Sequence, residues 1–492
     1  MSSTYQVIDL FAGCGGLGEG FSSYRGLVNF EIALSVEMNK YACDTLRGRR
    51  IFEIARNFGD SKLEKDLYTR YANSPMGLSR SLEELCGNSL WKDIDRRVLQ
   101  ATLGEPESNL EVRTRLARLS ANDRFVLIGG PPCQAYSLAG RSRNLPNPKY
   151  DALEDKRNFL YREYLRQVVS VSPAVFVMEN VKGLLSAKVN GVSIVNAVIS
   201  DLEKPVDFVT GKRGPRYRLY SIVKEGAQDG LKPSDYVVNA EDYGVPQARH
   251  RVILLGVRED IDKIPQILQP SPQLTVADAI GDLPQICSGT TDQNRNGREV
   301  GELLSRYARE LENAAENAGD LDLAGYFGSI VDGQSFAHTL IQPRGSFALV
   351  GFHNHESRRH MPSDLYRYLF VSAYASVRKR SPKGPAEFSY PGLAPNHANW
   401  LSGKFSDRFK CQEWGKPSST ITSHAGKDGH YYIHPDPLQC RSLTVREAAR
   451  LQTFPDTYVF EGPKSSQFQQ VGNAVPVALA KRIAHVVASL LS

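Results

Sequence analysis

The sequence predicts an α/β protein built on a doubly wound parallel sheet, with a second, smaller domain following it. Three observations carry this reading. Short apolar runs recur along the first half, separated by helix-compatible stretches. Polar residues and glycines gather where these runs end, as they do at ligand-binding strand ends. After about residue 265 the alternation stops, and Pro, Gly, Ser and basic residues take over. The chain's 492 residues suffice for two or three domains. Its 41% hydrophobic and 23% charged residues exclude a disordered, collagenous or coiled-coil protein.

Taken in order, Tyr5 to Phe11 reads as a short buried strand ended by a glycine cluster that leads into a helix start. Glu31 to Val36 reads as a second strand, ending in Glu37, with Asn39 to Leu46 helix-compatible beyond it. From Gly48 to about Gly87 the pattern turns polar and irregular, which predicts an insertion over 48–87. Phe125 to Ile128 is a compact strand running straight into Gly129-Gly130-Pro131-Pro132-Cys133. Within Arg157 to Ser170, Leu160, Tyr164, Leu165 and Val168 make one apolar stripe suited to packing on a sheet. Ala174 to Met178 is the next strand, ending at Glu179-Asn180, and Tyr217 to Val223 and Arg251 to Val257 add two more. Val475 to Leu491 regains a helical pattern and is expected to pack back on the first domain. The expected organisation is therefore a first domain over 1–265, a second over 266–463, and a returning segment over 464–492.

No apolar run approaches the roughly 18 residues of a membrane span, and the start lacks the pattern of a secretory signal. The seven cysteines form no C-x-x-C pair, so reduced thiols in the cytoplasm are expected rather than disulfides or a zinc site. Net charge is only +6, but the stretch from Ile341 to Lys410 holds eleven basic residues against four acids, leaving −1 for everything else. Arg358, Arg359, Arg378 and Arg380 lie in it, interleaved with Tyr366, Tyr368, Tyr374 and Trp400. Such a pattern suits a nucleic-acid surface, the alternative being a solvated face whose acids lie elsewhere in the chain. His353, His355 and His360 lack neighbouring thiols, and ordinary surface histidines are expected there rather than metal ligands.

Gly13-Cys14-Gly15-Gly16-Leu17-Gly18 satisfies G-x-G-x-x-G after a strand, with the acid Glu37 about twenty residues on. Glycines let the backbone approach a ligand, and the carboxylate suits ribose hydroxyls. This pair fits a nucleoside cofactor without separating a nicotinamide dinucleotide from S-adenosylmethionine. Cys14 within the loop reads as a packing residue. Cys133 differs, because two prolines stiffen the chain before a thiol at a strand's carboxyl end. A thiol there is placed as a nucleophile, and it needs a nearby cation or proton acceptor to become a thiolate. Glu179 ends the next strand, and Gln247-Ala248-Arg249-His250-Arg251 leads into another. Thiol, acid and guanidinium together suit one reaction. Thiolate addition at C6 of a pyrimidine, helped by a group at N3 and a cation near O2, turns the unreactive C5 into an enamine carbon.

The motifs DLFAGCGGLGEGF (9–21), GGPPCQAYS (129–137), ENV (179–181), QARHR (247–251), RSLTVREAARLQTFPD (441–456) and QVGNAVP (470–476) together resemble those of DNA (cytosine-5)-methyltransferases, in that family's order. The resemblance implies the methyltransferase variant of the Rossmann-like fold, and a methyl donor, S-adenosylmethionine, held by Phe11, Gly13, Gly15, Glu37 and Asn473. Asp93 is the expected adenine-contacting acid. Cys133 would attack C6, Glu179 would hold N3 and the exocyclic amine, and Arg249 and Arg251 would stabilise the activated base. Ser137 and Arg141 would lie on a loop closing over the DNA. The 266–463 segment would be a target-recognition domain, with Ser419-Thr420-Ile421 at its DNA-facing end. The target cytosine must be swung out of the duplex, and phosphate contacts must offset the cost of unstacking it. A monomer acting on duplex DNA is expected, in a restriction-modification or other defence setting, with a cognate endonuclease as a partner. The competing readings are a transfer-RNA cytosine methylase, a catalytically silent DNA-binding relative and an NAD-dependent oxidoreductase.

Overall fold

In a computed structural model the described residues are 3–57, 89–119, 124–132, 160–189, 192–226, 230–291, 297–333, 336, 352–396, 400–401, 407–427 and 429–492. Among them the chain divides into two compact units. One runs up to Gln273 and takes in Ala474–Ser492, and the other is Leu274–Asn473. The first boundary falls beyond 265 because the intervening residues stay tied to the sheet unit: the Leu268 amide donates to Ile222 O at 2.7 Å and the Ser271 amide to Asp242 O at 3.0 Å. Residues 464–473 go with the second unit rather than with the returning segment. There Gly472 packs so closely that a Cβ would stand 2.3 Å from the carbonyl carbon of Thr422.

The elements of the first unit are β1 (Thr4–Leu10), α1 (Gly16–Ser22), β2 (Asn29–Glu37), α2 (Lys40–Asn57), α3 (89–97), β3 (Val98–Gln100), α4 (Pro106–Leu116), β4 (Phe125–Gly129), α5 (Leu160–Val171) and β5 (Val175–Val181). After these come α6 (Ile194–Glu203), α7 (Pro205–Thr210), β6 (Tyr217–Tyr220), β7 (Val237–Asn239) and β8 (His250–Arg258). One sheet takes the order β3-β2-β1-β4-β5-β8-β6, with β7 also pairing β8. The strands from β3 to β5 are parallel, and β8 runs antiparallel to both β5 and β6. Strand order reverses between β1 and β4, the position at which open α/β sheets bind ligands beyond their carboxyl ends.

The apolar runs are continuous because both faces of the sheet are covered. Side chains alternate between two cores. Val7, Val126, Ile128, Val175, Val177, Ile253 and Leu255 pack with Leu17 and Phe21 of α1 and with the C-terminal helix Val477–Leu491. Ile8, Leu10, Leu127, Phe176, Met178 and Leu254 pack with α4, α5 and α6 through Val112, Tyr164, Leu165 and Val198. Among the described residues Lys464–Leu491 has the length and hydropathy of a membrane span, and 67% of that window is buried within the protein.

The predicted insertion starts later than Gly48, since α2 continues to Asn57. Arg49 is held there by a buried ion pair with Glu19 at 2.5 Å. Residues 58–87, the rest of the expected insertion, lie outside the described residues. In the second unit the sequence reading missed long helices, Gly297–Asn317, Leu321–Gly333 and Pro362–Arg378. Val300, Leu304, Ala308, Leu311 and Ala315 recur at three-to-four spacing and all enter this unit's core with Phe327, Leu365, Leu369 and Phe388. That spacing was available in the sequence, masked by the surrounding polar composition.

Candidate functional site

At the carboxyl end of β1 the chain turns sharply. Phe11 adopts the left-handed region at φ 53, which costs a non-glycine residue about 1–3 kcal/mol and is characteristic of functional turns. Gly13 (φ 56) and Gly15 (φ 88) continue the turn into α1. No atom lies within 4 Å of where a Cβ on Gly13 would stand, so space is open above the loop, whereas a Cβ on Gly16 would meet Val475 O at 2.3 Å. Gly13 thus faces open space at a positive φ, whereas Gly16 is required by packing.

Glu37, at the end of β2, accepts the Gly13 amide at 2.9 Å through Oε2 and the Asn39 amide at 2.7 Å through Oε1. Burial raises its pKa, opposed by the amides of Asn39, Gly13 and Met38. These three donors occupy three of a carboxylate's roughly four acceptor sites. Beneath the loop Asp9 is almost fully buried. Its pKa is raised to about 8 by burial and then by Glu37, against an opposing bond from the Gly18 amide. Cys14 is buried and its thiol is pushed well up by burial, consistent with packing rather than chemistry.

Asp93 does not join this cluster. It lies on α3, before β3, where its carboxylate pairs with Arg97 at 3.1 Å; Arg97 in turn holds Glu31 at 2.5 Å. Glu31 is near the start of β2 and Glu37 at its end, ~20 Å apart at ~3.3 Å per residue. Asp93 is therefore at the opposite edge of the sheet. The residue the strand register places beside Glu37 is Gln100, the last of β3, and the Ala101 amide donates to Glu37 O at 2.9 Å. Gln100 is exposed, and next to Glu37 the Met38 side chain is 63% exposed. Gln100 gave no sequence signal, because a three-residue strand offers no periodicity to find.

Across β1 a second cluster forms at the ends of β4 and β5. Glu179 is buried, and Arg251, paired across from Val181 on β8, brings Nε to 2.8 Å from Glu179 Oε1. The contact lies off the N–H direction, so it is an ion pair rather than a linear hydrogen bond. Burial lowers the Arg251 pKa, with Glu179 opposing the shift. Glu179 Oε2 reaches over Gly130, where a Cβ would stand 2.8 Å away. Asn180 Nδ2 donates to Pro131 O at 3.1 Å, fixing the chain that leads to Cys133. Arg249 is 1% exposed, and its carbonyl accepts the Ala240 amide at 3.0 Å. The structure thus gathers Phe11, Gly13, Gly15, Glu37, Glu179 and Arg251 at the carboxyl edge of one sheet. Cys133, Ser137 and Arg141 lie outside the described residues. Asn473 is exposed and immediately precedes Ala474-Val475, which packs on Gly16.

The sequence matches the C-5 cytosine-specific DNA methylase family over residues 5–73 and 105–489. The chain belongs to that family. It is 31% identical to the type II methyltransferase M.Bpa9945I of Bacillus paralicheniformis over 99% of both chains, and 27% identical to M.DdeI of Desulfomicrobium norvegicum over 97% of this chain and 87% of that one. A prophage-encoded Escherichia coli protein assigned as a DNA modification methyltransferase shares the fold, with a TM-score of 0.51 at 22% identity over 99% of each chain. The methylase is accordingly a DNA cytosine-5 methyltransferase with S-adenosylmethionine as methyl donor, rather than an RNA methylase or an oxidoreductase. Residues 74–104, which include Asp93, fall between the two matched blocks.

In the second unit the expected DNA-facing arginines are mostly engaged. Arg358 stacks 3.9 Å above the Phe468 ring and donates to Ala425 O. Arg378 pairs with Asp320 at 2.7 Å and Asp322 at 2.8 Å, and Arg380 bonds Glu387 at 2.8 Å. Arg380 holds the Glu387 carboxyl down at about 2. Of the four, Arg359 is exposed without a partner among the described residues. The charge excess of 341–410 is therefore partly cancelled by acids outside that stretch. Tyr432 donates to Thr420 O at 3.1 Å, while Ile421 is a core residue. The three histidines are not surface residues: His353, His355 and His360 are at most 9% exposed. Burial lowers His353 and His360 to about 3, so they are neutral core groups. Among the described residues no cluster suits a metal ion.

Proposed function

We propose that the methylase marks cytosines in one specific duplex sequence as the modification half of a restriction-modification pair, acting as a monomer alongside an endonuclease that cuts the same sequence. The observation that carries the chemistry is the Glu179–Arg251 ion pair, which sits over Gly130, three residues before Cys133.

In this reading Cys133, as a thiolate, adds to C6 of an extruded cytosine. Glu179 holds N3 and the exocyclic amine, and Arg249 and Arg251 supply positive charge toward the base as electrons move onto it. Burial of the pair strengthens its effect on a bound base, because few waters screen it. When bound, S-adenosylmethionine would supply the methyl group that C5 accepts; C5 then loses its proton to water as the Cys133–C6 bond breaks, which restores the ring and the free thiolate. Glu37 holds its ribose, Gly13 and Gly15 admit its chain past the loop, Phe11 lines its pocket, and Asn473 flanks the Gly16 side. Gln100, with Met38, takes the adenine-facing position in place of Asp93. Ser137, Arg141, Arg359 and Thr420 contact DNA, and Leu274–Asn473 contributes target recognition. Type II relatives motivate the restriction-modification setting.

Two measurements test this. Bisulfite sequencing of DNA from cells expressing the protein should show protected cytosines in one recurring context; scattered or absent protection overturns the specific-methylase reading. Cys133→Ala should abolish methyl transfer while S-adenosylhomocysteine binding stays within about two-fold, and residual turnover would exclude the thiolate route.

A further inference from the structure

Lys204, Lys212, Arg213, Arg216 and Arg218 are all exposed, and the only acid between the first and last of them is Asp207. None of Lys212, Arg213, Arg216 and Arg218 has an ion-pair partner among the described residues. The contrast with Arg378 and Arg380, both held by carboxylates, is direct.

The local fold concentrates these charges. Gly211, at φ 68, ends α7 and reverses the chain. Gly214 then lies so tightly on Val206 that a Cβ would stand 2.5 Å away, returning the loop to the helix that Lys204 begins. β6 follows and is the edge strand, with Arg218 opposite Val257. Phe208, 41% exposed, stands within the cluster with the Arg162 guanidinium 5.7 Å from its ring centre. The acids nearby in the backbone are Glu203, next to Lys204, Asp207 on α7, whose carbonyl accepts the Gly211 amide at 2.9 Å, and Glu259, whose amide donates to Arg216 O at 3.0 Å. Charge commonly blunts an edge strand, but of these cations only Arg218 lies on β6.

The patch faces away from the active site. Tyr217 pairs with Arg258 and Val257 with Val175, at the start of β5, whereas Glu179 and Arg251 stand toward the strands' other end, ~13 Å and ~20 Å away at ~3.3 Å per residue.

We propose that this loop-and-edge patch, Lys204, Lys212, Arg213, Arg216 and Arg218, is a second docking surface for duplex DNA, holding the phosphate backbone of another segment while the active site is engaged. A duplex carries one negative charge per ~1.7 Å, so a compact row of unpaired cations matches its backbone without reading sequence. The proposal rests on duplex DNA being the substrate.

The test compares the wild type with a variant carrying Lys212→Gln, Arg213→Gln, Arg216→Gln and Arg218→Gln, and with one in which the three arginines become lysine. A labelled duplex of about 20 base pairs, arbitrary in sequence, is titrated in low salt and followed by sedimentation, a length chosen to cover one such patch. The wild type and the lysine variant should take up a second duplex per chain, and the glutamine variant should stop at one. The slope of log affinity against log salt for that second event should approach about 0.9 per phosphate contact. Initial methyl transfer to saturating unmethylated phage DNA should be equal in all three proteins, and this reports the catalytic reading separately. Identical stoichiometry and identical salt slopes in wild type and glutamine variant overturn the proposal. So does loss of the second event in the lysine variant, since phosphate attraction depends on charge. A patch that leaves DNA uptake unchanged but is needed to bind an acidic protein also overturns it.

Discussion

Replacing Glu37 by Gln tests the cofactor site most directly. The carboxylate accepts the backbone amides of Gly13 and Asn39 at 2.9 and 2.7 Å, with the Met38 amide beside them. An amide side chain has one oxygen for these donors and turns its NH2 toward the other, so one backbone bond is lost in the folded protein. Hydrogen bonds to a charged partner contribute ~1.5–3 kcal/mol, so thermal stability should fall by about that amount. The ribose hydroxyl loses its charged acceptor as well, and a further ~1.5–3 kcal/mol corresponds to about ten- to a hundred-fold weaker binding. Isothermal titration with S-adenosylhomocysteine at fixed temperature reads the second effect, and calorimetric unfolding without ligand reads the first. Asp93→Asn is the internal control. Because Asp93 pairs with Arg97 on the far edge of the sheet, its loss should leave the dissociation constant within about two-fold. A Glu37→Gln protein that folds and binds as the wild type does, or an Asp93→Asn protein that loses binding, refutes the placement of the nucleoside at the carboxyl ends of β2 and β3.

Asp9, whose pKa is raised from 3.8 to about 8, binds its proton in the folded chain and releases it near 4 when unfolded. Its contribution to stability is therefore complete below about 4 and is lost as pH rises through about 8, at up to ~1.4 kcal/mol per unit. Asp9→Asn should flatten urea-unfolding midpoints across that window, and an unchanged pH slope would count against the buried carboxyl as its origin. Gly16→Ala places a methyl 2.3 Å from a backbone carbonyl and should destabilise by ~1–3 kcal/mol in calorimetry. Gly13→Ala meets no protein atom, so its main effect should be weaker S-adenosylhomocysteine binding, with only ~1–2 kcal/mol of backbone strain. Unchanged S-adenosylhomocysteine binding in Gly13→Ala, or weakened binding without lost stability in Gly16→Ala, would contradict this division. Arg359→Ala should lower the salt slope of DNA binding by ~0.9, whereas Arg380→Ala, whose guanidinium is already held by Glu387, should lower it less. The reverse ranking would move the DNA surface.

Much of the sheet was legible from residue order. β1, β2, β4, β5 and β8 are runs of apolar residues because both faces of the sheet are covered, and burial on two faces leaves an unbroken hydrophobic signature. Glu37 was legible for a related reason: a strand of fixed rise places an acid about twenty residues after the glycine loop at the neighbouring strand's end, here within 2.9 Å of Gly13. Glu179 and Arg251 were named individually, but their pairing at 2.8 Å depends on the antiparallel register of β8 on β5.

By itself the sequence determined the strand-forming runs, the glycine turn and the ordered motifs, because these depend on neighbours in the chain. Tertiary structure alone decided which edge of the sheet each charge occupies and whether that charge is free. Asp93 and Gln100 are close in sequence, yet one precedes β3 and the other ends it. Arg378 finds its carboxylates on residues 320 and 322, and the histidines near 355 are buried by segments far along the chain. Electrostatic pairing and desolvation depend on distance in space, which no local pattern encodes.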